Sequence, residues 1–144
     1  MDRAALSTFF AAQADVRLAY LFGSQARGTP GPLSDVDLAV VLDPPGVAHG
    51  ARRDDLNARL MEVLGRNDVD LVLADQAPPL LRHRIARGIC LYARVPVEAA
   101  RFAVDALRRY EDTRPLRAAA AAAQDRRLAL GQFARAVEYR RVGG

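Results

Sequence analysis

Gly23-Ser24-Gln25-Ala26-Arg27-Gly28, followed after a short Pro/Gly turn by Ser34-Asp35-Val36-Asp37-Leu38, are the residues of this chain whose types and spacing can do chemistry. That chemistry is phosphoryl transfer. A Gly-Ser turn set a short distance ahead of two carboxylates on alternate residues meets the needs of a site that holds a nucleoside triphosphate and Mg²⁺ together. On a strand, residues i and i+2 share a face, so Asp35 and Asp37 project side by side. Two adjacent carboxylates raise each other's pKa, and a divalent cation between them is the simplest way to keep both ionised. Oxygen-only ligands favour Mg²⁺ or Mn²⁺ over zinc. Gly23 lets the backbone approach a phosphate closely, and Ser24 is placed to cap a short helix through Gln25-Ala26-Arg27, aiming free N–H groups at an anion. Two-metal chemistry calls for a third carboxylate on a neighbouring strand. Asp70, inside the apolar run Val69–Leu73, is the better candidate, and Asp68 reads as a turn residue.

The elements that must position these groups follow from periodicity. Val16–Phe22 and Val36–Leu42 are β-branched and apolar, and predict two buried strands joined by the turn Gly28-Thr29-Pro30-Gly31-Pro32. A helix is expected near residues 4–13, and a second from about Asp54 to Leu64 after the Pro44-Pro45-Gly46 loop. A third strand follows at 69–73, then a helix begun by Pro78-Pro79 and running to Arg87, and a short strand at 89–94. From Pro96 onward the chain reads as helix, with a break near Thr113 and a restart at Pro115.

The run Gly-Ser-x-Ala-Arg-Gly, then Ser-Asp-x-Asp-Leu, then a later Val-Asp strand resembles the minimal nucleotidyltransferases of the polymerase-β-like superfamily. The resemblance covers roughly residues 15–95 and implies an α/β (α+β) fold, a small mixed sheet flanked by helices, acting with Mg²⁺ on a nucleoside triphosphate. It carries the family's phosphate-binding glycine and serine onto Gly23 and Ser24, its paired aspartates onto Asp35 and Asp37, and its third carboxylate onto Asp70. The chain divides on this reading into a nucleotidyltransferase domain, 1–96, and a C-terminal helical extension, 97–144.

Composition agrees and removes rivals. All 21 basic residues are arginine, so a Walker-type P-loop, a lysyl-nucleotide ligase and a pyridoxal-phosphate enzyme are excluded. The single Cys90 cannot form an internal disulfide; lying in Ile89-Cys90-Leu91-Tyr92, it is expected to be buried on a strand in a reducing cytoplasm. No signal-peptide pattern and no membrane-spanning run is present, so the chain is expected to be cytoplasmic.

The extension holds ten arginines against six acids, while residues 1–96 balance, so the whole +4 charge lies in the tail. Leu116, Ala120, Ala123, Leu130, Ala134 and Val137 form a seam along one helix face that needs another helix to bury it. Its partner is the chain's own helix at 97–113, a second copy in a homodimer, or a different protein. A short catalytic domain followed by such an extension, with Arg114-Pro115-Leu116-Arg117 opening the second helix, is similar to the antitoxin half of HEPN/minimal-nucleotidyltransferase toxin–antitoxin pairs. That resemblance implies transfer of AMP from ATP to a tyrosine hydroxyl of a HEPN ribonuclease toxin. The mechanism expected is in-line attack on the α-phosphate with loss of pyrophosphate. Asp35 and Asp37 would hold metal, and Asp70 would hold a second metal or accept the proton.

Two other classes stay open at this stage: a nucleotidyltransferase acting on an RNA end or small molecule, and a binding subunit that neutralises a partner sterically. A cationic aminoglycoside is disfavoured by the basic tail; RNA is harder to reject, since arginine-rich helices suit phosphates, yet there is little aromatic content for stacking bases and direct nucleic-acid binding is not expected. The chain is not itself a HEPN ribonuclease, since neither histidine follows an arginine at that family's spacing. Arg27 is read as either a phosphate ligand or a structural ion pair with the carboxylates. His49 and His83 are read as surface histidines, and Tyr20, Tyr92, Tyr110 and Tyr139 as packing residues.

Overall fold

The computed structural model describes residues 2–28 and 35–143, with side chains described as far as residue 131. The turn ahead of Asp35 and the side chains of Ala134, Val137, Tyr139, Arg140 and Arg141 lie outside the described residues. Eight principal elements build the first unit, Met1–Tyr110, and one further helix dominates the second, Glu111–Gly144. Alternation of apolar residues makes the strands: β1 (Val16–Phe22), β2 (Val36–Leu42), β3 (Val69–Leu73) and β4 (Ile89–Ala93). They form one sheet in the order β3-β2-β1-β4. β1 pairs antiparallel with both β2 and β4, whereas β2 and β3 run parallel, so the sheet is mixed, as the family resemblance implies.

Both faces of the sheet are covered. On one, α1 (Arg3–Ala11) and α3 (Gly50–Leu64) bury Leu6, Phe10, Leu56 and Leu60 against Val16, Leu21, Val36, Leu38 and Val40. On the other, α4 (Pro79–Ala86) and α5 (Pro96–Asp112) bury Ile85 and Phe102 against Leu18, Tyr20, Phe22, Ala39 and Val41. Strand period therefore assigns Asp37 and Asp70 to the α4/α5 face, one residue out of phase with the buried Val36, Leu38, Val69 and Leu71. Between β1 and β2 lies the one-turn helix α2 (Ser24–Arg27), which begins where β1 ends.

Two details depart from expectation. α3 begins at Gly50, a turn earlier than the apolar pattern suggests. That extra turn carries Arg52, whose guanidinium reaches Asp15 and Gln13 across the chain and Asp55 on its own helix, so polar contacts rather than apolar period hold it. Cys90 is on a strand but exposed, because β4 is an edge of the sheet and covers itself only through Leu91. α5 packs into the first unit, anchored by Phe102 against the Tyr20 ring at 5.3 Å and by a pair of hydrogen bonds from Arg17 to Glu98.

The second unit is the helix α6 (Arg114–Gly143), which leaves Leu116 and Leu130 72% and 68% exposed. No described helix is long and apolar enough to cross a membrane.

Candidate active site

Strand register brings the carboxylates together. Asp37 is the direct parallel partner of Asp70 in the β2–β3 pairing and the antiparallel partner of Phe22 in β1–β2. Phe22 is followed by Gly23, so the Gly-Ser turn and the aspartates meet at one end of the sheet. Gly23 has φ +74°, and a Cβ added there would run into the Asp37 carboxylate. Glycine is therefore required twice over at this position, by backbone conformation and by the space the carboxylate occupies. The two halves of the motif touch through that missing side chain.

Ser24 does not cap α2. It is the first helical residue, Gly23 stands at the N-cap position without a side chain to contribute, and Ser24 lines the cavity. A single helical turn leaves its first N–H groups without intrahelical acceptors, which suits an anion. Arg27 makes no ion pair among the described residues, although its charge acts on Asp37, so the structural ion-pair reading of Arg27 is not realised.

Burial pushes the Asp37 carboxyl above the usual carboxylate range, and the neighbouring charges of Asp70 and Asp35 push it further, against a smaller opposing pull from Arg27. A half-buried carboxylate strained by two others is a place where added positive charge is stabilising. Among the described residues, no three carboxylate, imidazole or thiol groups converge closely enough to hold a metal ion unaided. Mg²⁺ does not require that: it commonly takes one or two carboxylates and fills the remaining positions with phosphate oxygens and water. Asp37 and its register partner Asp70 offer carboxylate oxygens of that kind, and Asp35 lies just ahead of β2. Asp68, by contrast, is occupied by a two-point ion pair with Arg66 at 2.5 Å, which agrees with its reading as a turn residue.

Asp37, with Gly23, Ser24 and Arg27 on the motif side, lines a cavity of about 860 Å³ whose helical side is formed by His83, Arg84, Arg87 and Tyr110; Asp35 and Asp70 are exposed and are not among its lining residues. The helical wall was not legible as functional in the sequence. His83 is not a plain surface histidine: its ring stacks on Tyr110, with centroids 3.9 Å apart and planes 13° from parallel. The spacing of Leu80, His83, Arg84 and Arg87 puts them on one side of α4, and that stripe was the available signal. The opposite side of α4 is buried through Ile85 and Arg82, the latter bonded to the Asp75 carbonyl and to Asp105 of α5.

Residues 5–96 match the family described as Polymerase beta, Nucleotidyltransferase. The chain belongs to that family and is a nucleotidyltransferase of the minimal type. It is similar to a chain of a toxin–antitoxin crystal structure with AMP-PNP, at 26% identity and a TM-score of 0.70, over 83% of this chain and 94% of that one. A tyrosine-to-alanine mutant of the toxin–antitoxin MntA-HpeT matches at 26% identity and a TM-score of 0.69, with the same coverage of 83% and 94%. The tri-AMPylated Shewanella oneidensis HEPN toxin in complex with MNT antitoxin shares the fold, at 24% identity, a TM-score of 0.64, and coverage of 81% and 90%. No curated protein matches.

Proposed function

We propose that the chain is the antitoxin of a HEPN/minimal-nucleotidyltransferase pair, transferring AMP from ATP to a tyrosine hydroxyl of its cognate HEPN toxin. The observation that carries this reading is the meeting of Gly23-Ser24 with Asp37 in one cavity, with Asp70 beside Asp37 in strand register. Similarity to toxin–antitoxin complexes, one with AMP-PNP and one whose HEPN toxin is tri-AMPylated, supports the choice of donor and acceptor.

Gly23, Ser24 and the first N–H groups of α2 bind the phosphate chain. Asp35 and Asp37 hold Mg²⁺, which supplies charge neutralisation at the transferring phosphoryl group and at the leaving pyrophosphate. Asp70, exposed at the edge strand beside Asp37, holds a second ion or accepts the proton of the attacking hydroxyl. The new bond joins the acceptor oxygen to the α-phosphorus as the bond to the β-phosphate oxygen breaks, releasing pyrophosphate. On this reading α6 belongs to the helical extension that begins at residue 97, and its exposed Leu116, Leu128 and Leu130 are the surface offered to the toxin or to a second copy. The free thiol of Cys90 fits a reducing, cytoplasmic setting.

The test is incubation with α-labelled ATP, Mg²⁺ and the HEPN-type protein encoded beside this chain. Label on the toxin, lost when its acceptor tyrosines are changed to phenylalanine, is expected. Label on RNA or a small molecule instead would replace the acceptor. Toxin neutralised with no label at all would mean steric inhibition.

A further inference from the structure

Nine of the fourteen arginines in the first unit pair with a carboxylate. Arg3, Arg27, Arg84, Arg87 and Arg101 make no ion pair among the described residues, and three of these five line the one cavity that also holds Ser24 and Asp37. In a unit where nine of fourteen arginines are matched to acids, three unmatched guanidinium groups around a single cavity mark a site for an anion of several charges. A polyphosphate offers such a set of guanidinium groups several charged oxygens to bind at once.

The backbone explains how α4 comes to supply two of them. Gly88, just past the end of α4, lies so close to β1 that a Cβ there would meet the Leu21 carbonyl oxygen and crowd Phe22. Leu21 and Phe22 immediately precede the Gly23-Ser24 turn. The C-terminal end of α4, with Arg84 and Arg87, is therefore drawn against the strand that ends in the phosphate-binding turn. On the far side of α4, buried Arg82 is tied to Asp105 at 3.0 Å and to the Asp75 carbonyl at 2.6 Å, which fixes the rotation of the helix and keeps the Leu80/His83/Arg84/Arg87 stripe turned toward the cavity.

We propose that Arg84 and Arg87, together with Arg27, clamp the β- and γ-phosphates of the nucleoside triphosphate. Selection of a triphosphate over a monophosphate then comes from α4 as well as from the Gly-Ser turn. The inference rests on the nucleotidyltransferase reading of the same cavity but not on the identity of the acceptor. A planar guanidinium presents paired N–H donors that match phosphate oxygens, so each contact adds geometric selection as well as charge.

Titration calorimetry of the full chain in Mg²⁺ with ATP, pyrophosphate, AMP and a single-stranded oligoadenylate tests this directly. The wild type should bind ATP more tightly than AMP. The double variant Arg84→Gln/Arg87→Gln should lose about tenfold or more in affinity for both ATP and pyrophosphate, while its affinity for AMP stays the same. Arg84 and Arg87 are exposed, so the double variant is expected to fold, and an unchanged melting transition verifies it. Arg101→Gln, which removes an unpaired arginine outside the cavity, should leave all four affinities unchanged. Retention of ATP and pyrophosphate affinity in the double variant would overturn the clamp alone. A wild type that binds neither ATP nor pyrophosphate would overturn the nucleotidyltransferase reading with it. Binding of oligoadenylate that exceeds that of pyrophosphate and is lost in the double variant would reassign these arginines to RNA.

Discussion

Asp37 is the residue on which the site turns, and its environment makes a prediction with a definite sign. Its carboxyl is held above the normal range by burial and by the Asp70 and Asp35 charges. An acid whose folded-state pKa is raised contributes stability at pH below its unfolded value and loses it as pH rises through the folded value. At neutral pH and without metal, ionised Asp37 is therefore a net burden on the fold. Asp37→Asn should raise the thermal midpoint in metal-free buffer and abolish transfer, and Mg²⁺ should stabilise the wild type more than the variant in calorimetric scans. A lower midpoint for the variant in metal-free buffer would contradict the charge account. Gly23→Ala puts a Cβ into the Asp37 carboxylate at a positive φ, so it should cost about 1–3 kcal/mol in denaturant unfolding and reduce turnover severely.

At the scale of elements, the site is a meeting of two walls that differ in how openly the sequence displays them. The motif wall is visible because Gly23, Ser24, Arg27 and Asp37 are close in sequence, and strand period assigns Asp37 and Asp70 to one face of the sheet. The α4 wall is not, because a histidine flanked by arginines on a short helix looks like a solvated surface. What turns it inward is the close approach of Gly88 to Leu21, together with Arg82 reaching Asp105, and both are tertiary contacts between segments remote in sequence. Tyr110 joins the wall only because α5 packs back onto the sheet through Phe102. Ser24 shows the converse: residue type suggests a cap, and the structure gives that position to Gly23. Arg82→Ala removes the tie between α4 and α5 and should cost about 2–3 kcal/mol in denaturant unfolding. Because the same change loosens the helix that carries Arg84 and Arg87, ATP affinity should fall with it; unaltered affinity would show that α4 is positioned by Ile85 and Gly88 alone.

For the whole molecule, arginine–carboxylate pairs bind the periphery of the first unit. Arg52 beside Asp15, Arg17 beside Glu98, Arg94 beside Asp43 and Arg66 beside Asp68 each hold the carboxyl below its usual range. Carboxylates with depressed pKa values give stability that is present above their unfolded values and is lost as pH falls through the folded ones. Stability should therefore hold from neutral pH down to about 4 and fall steeply below it, the reverse of the Asp37 contribution. A denaturation series from pH 7 to pH 2 checks this, and salt should blunt the loss because most of these pairs are partly exposed. The second unit differs: Leu116 and Leu130 are exposed on α6.

The most direct test of the central claim is intact-mass analysis of the HEPN-type partner after incubation with this chain, ATP and Mg²⁺, set beside the Asp35→Ala/Asp37→Ala variant. The account predicts mass gains on the partner in whole AMP steps with the wild type and none with the variant. Equal gains from both proteins would show that Asp35 and Asp37 do not carry the reaction.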